Sequence, residues 1–182
     1  KDARTVFQDL ISSYPSSPRI ADARFAEAKT YAVEGDDSVA IQKHDQWLGS
    51  YTNHILRPQV EFQRAVLLGK TGQATNALTA FSQFVTKYPT DPLAPAAQTW
   101  VADHYHDQQL WPLAEQNYQR VFQNTNWAGT LLAYQARLMA ANTAFRRQGY
   151  SDARSYLTNV LNDPKCPLEM QPRAWFALGG VF

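Results

Sequence analysis

The chain of 182 residues has little of what defines several classes of protein. Its one cysteine, Cys166, excludes an internal disulfide and any metal site built from several cysteines. Its 17 basic and 16 acidic residues leave a net charge of +1, without the basic excess that a nucleic-acid surface needs. No apolar run approaches the roughly 18 to 20 residues of a membrane span, and no signal-peptide pattern is present. We therefore predict neither a nucleic-acid partner nor a membrane span.

Catalytic motifs are also missing. The sequence has no glycine-rich phosphate loop and no serine in the context of a nucleophile elbow. Its densest group of candidate side chains is Asp103-His104-Tyr105-His106-Asp107, but histidines two positions apart on a helix point to different faces and do not share a metal. Cys166 lies in a proline-flanked loop without a nearby histidine. We predict no catalytic, metal or cofactor site, and no enzyme activity.

What the sequence does contain is a repeat. In residues 77–89, small and apolar side chains recur at the spacing that lines one face of a helix: Ala77, Phe81, Phe84, Val85 and Tyr88. The same pattern starts at four other alanines, and successive starts are 37, 37, 37 and 39 residues apart: Ala3, Ala40, Ala114 and Ala153. Four positions after each start the chain has Phe7, His44, Phe81, Tyr118 and Leu157. His44 is therefore predicted to pack in the core.

A second helix precedes each of the later copies. Twelve residues before each start lies another small residue: Ala28, Ala65, Ala102 and Ala141. Small side chains allow two helices to approach closely. Short breaks that contain Gly35, Gly72 and Gly149 separate the paired helices, and we expect these glycines to form left-handed caps.

Together these patterns predict an all-α fold without strands. Its unit is a pair of antiparallel helices whose apolar face only the next pair can cover. Trp127 lies in the longest connection, where its ring either folds back under the repeat or remains exposed as a contact. We expect ten helices, over residues 2–14, 18–34, 37–51, 55–71, 73–88, 93–108, 111–124, 130–148, 150–162 and 168–182.

The repeat resembles the tetratricopeptide repeat (TPR). That family has a small residue in its first helix, a glycine-containing turn, an alanine with an aromatic residue four positions later, and a proline twelve positions after the alanine. Ala3 with Pro15, and Ala77 with Pro89, reproduce both ends of this pattern. The last segment, Trp175-Phe176-Ala177-Leu178-Gly179, resembles the family's Trp-x-x-Leu-Gly opening. The resemblance implies one right-handed superhelical solenoid of antiparallel helix pairs over residues 1–182.

The repeats are incomplete at both ends of the sequence. Residues 1–15 form a second helix without its first, and residues 168–182 form a first helix without its second. We expect the apolar side chains there to be partly uncovered: Phe7, Leu10, Trp175 and Phe176. This predicts fraying, end-to-end self-association, or further repeats in a longer native chain. Because the sequence begins with Lys1, we expect it to be a fragment of such a chain.

The resemblance also implies where a partner binds. In TPR proteins the first helix of each pair lines an inner groove, at positions that can be transferred to this chain relative to the small residue. Transferred helix by helix, they are Asp22, Phe25, Lys29 and Val33, then Gln59, Phe62, Val66 and Lys70, then Thr99, Asp103, His106 and Asp107, and then Gln135, Leu138, Asn142 and Arg146. This mixed face suits an extended peptide held by its backbone and a few side chains. The alternative is a solvated surface without a partner.

We therefore expect a non-catalytic scaffold that binds a protein or peptide. The Tyr-Pro-x-x-Pro loops at Tyr14 and Tyr88 resemble those of bacterial cell-envelope TPR proteins, which include lipoproteins of outer-membrane assembly and periplasmic proteins associated with the Tol–Pal system. This resemblance implies an envelope assembly and a periplasmic location, while a cytoplasmic one stays open. The alternative function is a helical accessory domain of a larger enzyme, such as a cell-wall lytic enzyme.

Overall fold

The structure is a computed structural model that describes residues 2–181, and Lys1 and Phe182 lie outside the described residues. Over that range it contains ten α-helices and no strand, which confirms the all-α prediction. Each helix begins and ends within three residues of its predicted bounds. The helices are α1 Ala3–Ser13, α2 Ile20–Glu34, α3 Asp37–Ser50, α4 Arg57–Lys70, α5 Ala74–Lys87, α6 Ala94–Asp107, α7 Trp111–Gln123, α8 Leu131–Arg146, α9 Tyr150–Leu161 and α10 Gln171–Gly179.

Residue contacts divide the chain into two compact units, the first ending at Tyr88 and the second beginning at Pro89. In the first unit each of the helices α1 to α4 packs against the next helix in the sequence, and in the second unit each of α6 to α9 does the same. In the second unit α6 also packs against α8. Packing between sequence neighbours is the arrangement of a helical repeat. A single domain over residues 1–182 stays a prediction.

Alanines hold the paired helices together in each unit. Eight alanines of the predicted pattern are at most 2% exposed: Ala28, Ala40, Ala65, Ala77, Ala102, Ala114, Ala141 and Ala153. Because a methyl group takes so little room, helices that meet at these positions can approach to the short end of the usual spacing. The large side chains beside them fill the remaining space, and Trp47, Phe81 and Tyr118 are also at most 2% exposed. The predicted repeat register is therefore confirmed for the copies that start at Ala40, Ala77, Ala114 and Ala153, whereas Ala3 is exposed.

Two tryptophans tie loop and helix backbones to the core. The indole N–H of Trp47 donates to the carbonyl of Ala21 over 2.7 Å. The indole N–H of Trp127 donates to the carbonyl of Pro89 over 3.2 Å, and the residue is only 5% exposed. Trp127 thus folds back onto the loop before α6, which decides between the two alternatives left open by the sequence.

The left-handed turn residues differ in part from the prediction. Gly35 and Gly72 have φ values of 91° and 78°, as expected. Gly149 does not, since its φ is −83° and the left-handed residue of that turn is Gln148, with φ of 66°. The equivalent residue before α7 is Gln109, with φ of 59°. The position in the repeat therefore decides which residue adopts the left-handed conformation. A non-glycine residue pays about 1–2 kcal/mol for it, which the packing of the flanking helices offsets at each glutamine.

The apolar side chains of the first and last helices are partly or largely exposed. Trp175 and Phe176 on α10 are 63% and 87% exposed, and Phe7 and Leu10 on α1 are half-buried, so the predicted uncovering at both ends is confirmed.

Cys166 is a core residue, only 6% exposed in a cluster with Met170 and other apolar side chains. Burial raises the pKa of its thiol, which is the opposite of what a reactive thiolate needs.

His44 is a buried polar residue in the aromatic position of the second copy. Its Nδ1 lies 2.6 Å from the carbonyl of Ala40, an acceptor, so Nδ1 carries the proton. Its Nε2 is buried without a hydrogen-bond partner, and the ring meets Phe25 edge-on. Burial lowers the pKa of His44; the Ala40 carbonyl and Asp45 act to raise it, and Arg64 lowers it. The confirmed packing role therefore depends on the neutral imidazole.

Phe81→Ala should lower the free energy of unfolding by about 3–5 kcal/mol, because it leaves a cavity in the core of the first unit. Ala77→Leu should lower it by about 1–3 kcal/mol, because the close helix approach leaves no room for a larger side chain. Ser82→Ala, at an exposed position of the same helix, should change it by no more than about 0.5 kcal/mol. Urea denaturation measures all three variants. Phe81→Ala and Ala77→Leu variants as stable as wild type would contradict the register.

His44→Phe should make stability less dependent on pH. The folded-state pKa of His44 lies below its unfolded value of about 6.5, so its contribution is complete above that pH and is lost as the pH falls through the folded pKa. Phenylalanine, the residue of the equivalent position at Phe81, does not titrate. Thermal melts at pH 7.5 and pH 5 should show the Tm advantage of the variant growing on acidification, whereas parallel pH profiles would refute the burial argument.

Candidate functional site

An open groove of about 780 Å³ lies along the first helices of the pairs in the second unit. It is lined by residues of α6, α8 and α10: Thr99, Asp103, His106, Asp107, Gln135, Ala136, Leu138, Met139, Asn142, Arg173 and Ala177. Seven of the eight predicted groove residues on α6 and α8 are therefore brought together. The eighth, Arg146, is exposed at the last residue of α8 and is not among those that line the groove.

The groove carboxylate Asp103 is positioned by the core. The hydroxyl of Tyr118 donates to Asp103 Oδ1 over 2.6 Å. Tyr118 belongs to α7 and is fully buried, at the repeat position that Phe81 occupies in the preceding copy. Burial raises the pKa of Tyr118 well above its usual value, so this hydroxyl keeps its proton and remains a donor. A packing residue thus also fixes a groove side chain.

Asp103 carries a charge that the protein only partly compensates. Its partial burial raises the pKa of its carboxyl group, the Tyr118 hydrogen bond lowers it, the nearby Asp107 raises it, and His106 lowers it. Within residues 2–181, no lysine, arginine or histidine lies close enough to Asp103 for a salt bridge. A perturbed carboxylate in a groove is a functional-site candidate with a stated physical cause.

His106 connects α6 with α8. Its Nε2 lies 3.4 Å from Asn142 Oδ1, and its Nδ1 lies 3.8 Å from a carboxylate oxygen of Asp107. Its ring meets Trp111 edge-on, whereas the ring of His104 stacks on Trp100. The two histidines therefore have different surroundings, as their spacing predicted. In the described part of the chain, no group of three or more His, Cys, Asp or Glu side chains is placed to hold a metal.

Arg173 is a groove residue that the sequence reasoning missed. It lies in the first turns of α10, is exposed, and forms no salt bridge with a residue of the described range. The signal that identifies it is the repeat itself, because Arg173 precedes Gly179 by six positions, as Gln135 precedes Ala141. Extending the register to the incomplete last copy would have found it.

In the first unit, the prediction that Phe25 lines a groove is wrong. Its side chain is 5% exposed and packs with Trp47 and Val60 in the core. The ring centroids of Phe25 and Trp47 are 6.3 Å apart. The position faces α3 because Trp47 and His44 leave an apolar space that an aromatic ring fills, which the transferred register did not take into account.

The other predicted site residues of the first unit differ in exposure. Phe62 is half-buried and meets Phe81 and Phe84 edge-on, with ring centroids 5.5 and 5.7 Å apart. Lys70 is exposed, with its Nζ 2.8 Å from Asp37 Oδ2. Asp22 is partly exposed, and the remaining members of this set are exposed at the surface: Lys29, Val33, Gln59 and Val66.

Comparisons with known proteins agree with this architecture. Residues 62–126 match the family model of the tetratricopeptide repeat. Comparison with curated proteins gives no match. Among solved structures, 61 chains match. No helix within residues 2–181 combines the length and apolar character that a bilayer-spanning helix requires.

Three of these solved structures illustrate the similarity. A TPR protein from Parabacteroides merdae is 15% identical with a TM-score of 0.65, covering 97% of this chain and 66% of its own. MamA from Desulfovibrio magneticus RS-1 is 15% identical with a TM-score of 0.60, covering 88% and 94%. A TPR protein from Thermus thermophilus is 15% identical with a TM-score of 0.54, covering 96% and 88%. The chain therefore has a TPR-like fold, and its residues 62–126 match the TPR family model.

Asp103→Asn should stabilise the protein at neutral pH. Because the folded-state pKa of Asp103 is raised, the native protein holds this proton more readily than the unfolded chain, and stability is lost as the pH rises through that pKa. The amide keeps an acceptor for Tyr118 and carries no charge. Since solvent still reaches the group, we expect a gain in Tm of about 1–2 °C at pH 7.

The matched control is Asp107→Asn, at a side chain that is 85% exposed, which should give a smaller gain. The advantage of Asp103→Asn should shrink as the pH is lowered toward the pKa of the wild-type carboxyl. Thermal melts across this pH range make the comparison. A Tm at pH 7 that is lower than that of wild type would contradict the electrostatic account of the groove.

Proposed function

We propose that this chain is a non-catalytic scaffold that binds a partner protein through an extended segment lying in the groove of α6, α8 and α10. The single observation that supports this is the groove itself, which brings seven of the transferred groove residues together on one open face. Its volume of about 780 Å³ lies in the range of ligand sites. Extended concave surfaces of this kind are what helical repeats use for binding.

The chemistry of the groove suits a peptide. Three small or apolar side chains give it a surface on which ligand side chains can be buried: Leu138, Met139 and Ala177. The amide side chains of Gln135 and Asn142 each provide donors and acceptors, which match the N–H and C=O groups of an extended backbone. Thr99 has its hydroxyl committed to the carbonyl of Pro95, so it contributes mainly its methyl group.

We also propose secondary contacts outside this groove. Four exposed side chains of the first unit are two cations, an amide and an apolar group, which suits a mixed binding surface: Lys29, Lys70, Gln59 and Val66. Arg146 adds a cation at the end of α8. Lys70 is already paired with Asp37, so a partner that uses it would have to exchange one ion pair for another. These residues are therefore proposed as auxiliary contacts.

We place this scaffold, as a proposal, in a bacterial cell-envelope assembly with a periplasmic location, because of the Tyr-Pro-x-x-Pro loops. The alternative is a helical accessory domain of a larger enzyme, such as a cell-wall lytic enzyme, since TPR-like helices also serve as arms beside a catalytic domain. The full-length gene separates the two, because a catalytic domain beside these residues favours the accessory role. Fractionation of cells that produce the tagged full-length protein tests the periplasmic location.

Asn142→Trp tests the groove assignment. Asn142 is exposed on α8 and lines the groove, so an indole there should obstruct a bound peptide without disturbing the core. Selection of random 12-residue peptides displayed on phage supplies ligands, whose affinities are then measured by fluorescence polarisation. We expect Asn142→Trp to weaken binding at least ~10-fold, through lost contacts and displaced backbone hydrogen bonds.

The matched control is Asn159→Trp, which places the same side chain at an exposed position of α9, away from the groove. It should leave affinity unchanged. Equal binding by both variants would move the site elsewhere, and a selection that yields no peptide ligand would argue against a peptide-binding function.

A further inference from the structure

One edge of the groove is acidic and lacks a matching cation. Asp103 accepts a hydrogen bond from Tyr118 but has no salt bridge with any residue of the described range, and Asp107 pairs within that range with His106, whose Nδ1 lies 3.8 Å from Asp107 Oδ1. Asp103 and Asp107 are four positions apart on α6, so their like charges disfavour each other. A ligand cation at this edge would relieve that repulsion and form charge-assisted hydrogen bonds.

The opposite edge is basic. Arg173 is exposed on α10, lines the same groove and makes no salt bridge within residues 2–181. A guanidinium group presents a planar set of donors that matches a carboxylate, so an acidic ligand group suits this position. The central helix α8 contributes uncharged amides and apolar side chains. The groove is therefore dipolar across its width, with the charges carried by its two outer helices.

The helix spacing relates the two edges to a ligand length. Neighbouring packed helices lie about 8–10 Å apart, so two such spacings, from α6 past α8 to α10, amount to about 16–20 Å. An extended peptide advances about 3.3 Å per residue and crosses that distance in about five or six residues. Direct approach of His106 to Asn142, at 3.4 Å, shows that the side chains of α6 and α8 leave no wide gap in between.

We infer that the occupant of this groove is an extended peptide segment with a basic side chain against Asp103 and Asp107 and an acidic side chain against Arg173, about five or six residues apart. The inference rests on the proposed function and adds the charge pattern of the partner. Charge complementarity across the groove commits the site to a dipolar segment and disfavours one that is uniformly acidic or uniformly basic.

The test uses the same phage library of 12-residue peptides, with the best ligand then made in three forms. These are the selected sequence, the sequence with its basic residue replaced by glutamine, and the sequence with its acidic residue replaced by glutamine. Fluorescence polarisation measures each form against wild type, Asp103→Asn/Asp107→Asn and Arg173→Gln. Charge-removing controls away from the groove are Asp36→Asn on the first unit and Arg120→Gln on α7.

We expect selected sequences to carry one basic and one acidic residue at a fixed spacing. Loss of the basic residue should weaken binding to wild type ~10-fold, but less than ~2-fold in the double asparagine variant. Loss of the acidic residue should likewise weaken binding to wild type ~10-fold, but less than ~2-fold to Arg173→Gln. The controls should behave like wild type.

The possible outcomes separate this inference from the function on which it rests. The charge pattern would be overturned, and the binding function left standing, by selected peptides that lose affinity for Asn142→Trp but carry no paired charges. The same holds if they bind Asp103→Asn/Asp107→Asn and Arg173→Gln as tightly as wild type. A selection without any ligand would overturn both. Binding in which basic and acidic residues each couple to the predicted groove side chains supports the inference.

Discussion

The structure depends on the close approach of paired helices at buried alanines. At Ala77 and its equivalents the side chain is small enough for the neighbouring helix to lie directly against the backbone, and large side chains such as Phe81 then fill the space beside it. Within each unit the helices pack on their sequence neighbours, so each unit is stabilised by several local interfaces.

The groove is built on the same packing. Tyr118 occupies the aromatic position of its repeat and is fully buried, yet its hydroxyl reaches Asp103 on the neighbouring helix. The change from Phe81 in one copy to Tyr118 in the next therefore keeps the core and adds a polar contact at the surface. Asp103 is consequently held in place at some cost to stability, as is common for residues that serve binding.

The sequence predicted the fold more completely than the site. Periodicity located the ten helices of the described residues, and buried alanines confirm the register in four of the five copies, because close helix packing requires a small side chain at the same position. Single-copy exceptions were harder to predict. Gln148 adopts the left-handed turn in place of Gly149 because repeat position outweighs residue preference, and Phe25 turns into the core because local packing offers it apolar space. Arg173 was missed because its repeat is incomplete.

The most direct measurement of the central claim is a titration of the isotope-labelled protein with a selected peptide, followed by backbone and side-chain NMR shifts. The account predicts that the largest changes map to Asp103, Gln135, Asn142 and Arg173, on the three helices that line the groove. Changes confined to the outer surfaces of α7 and α9 would contradict it.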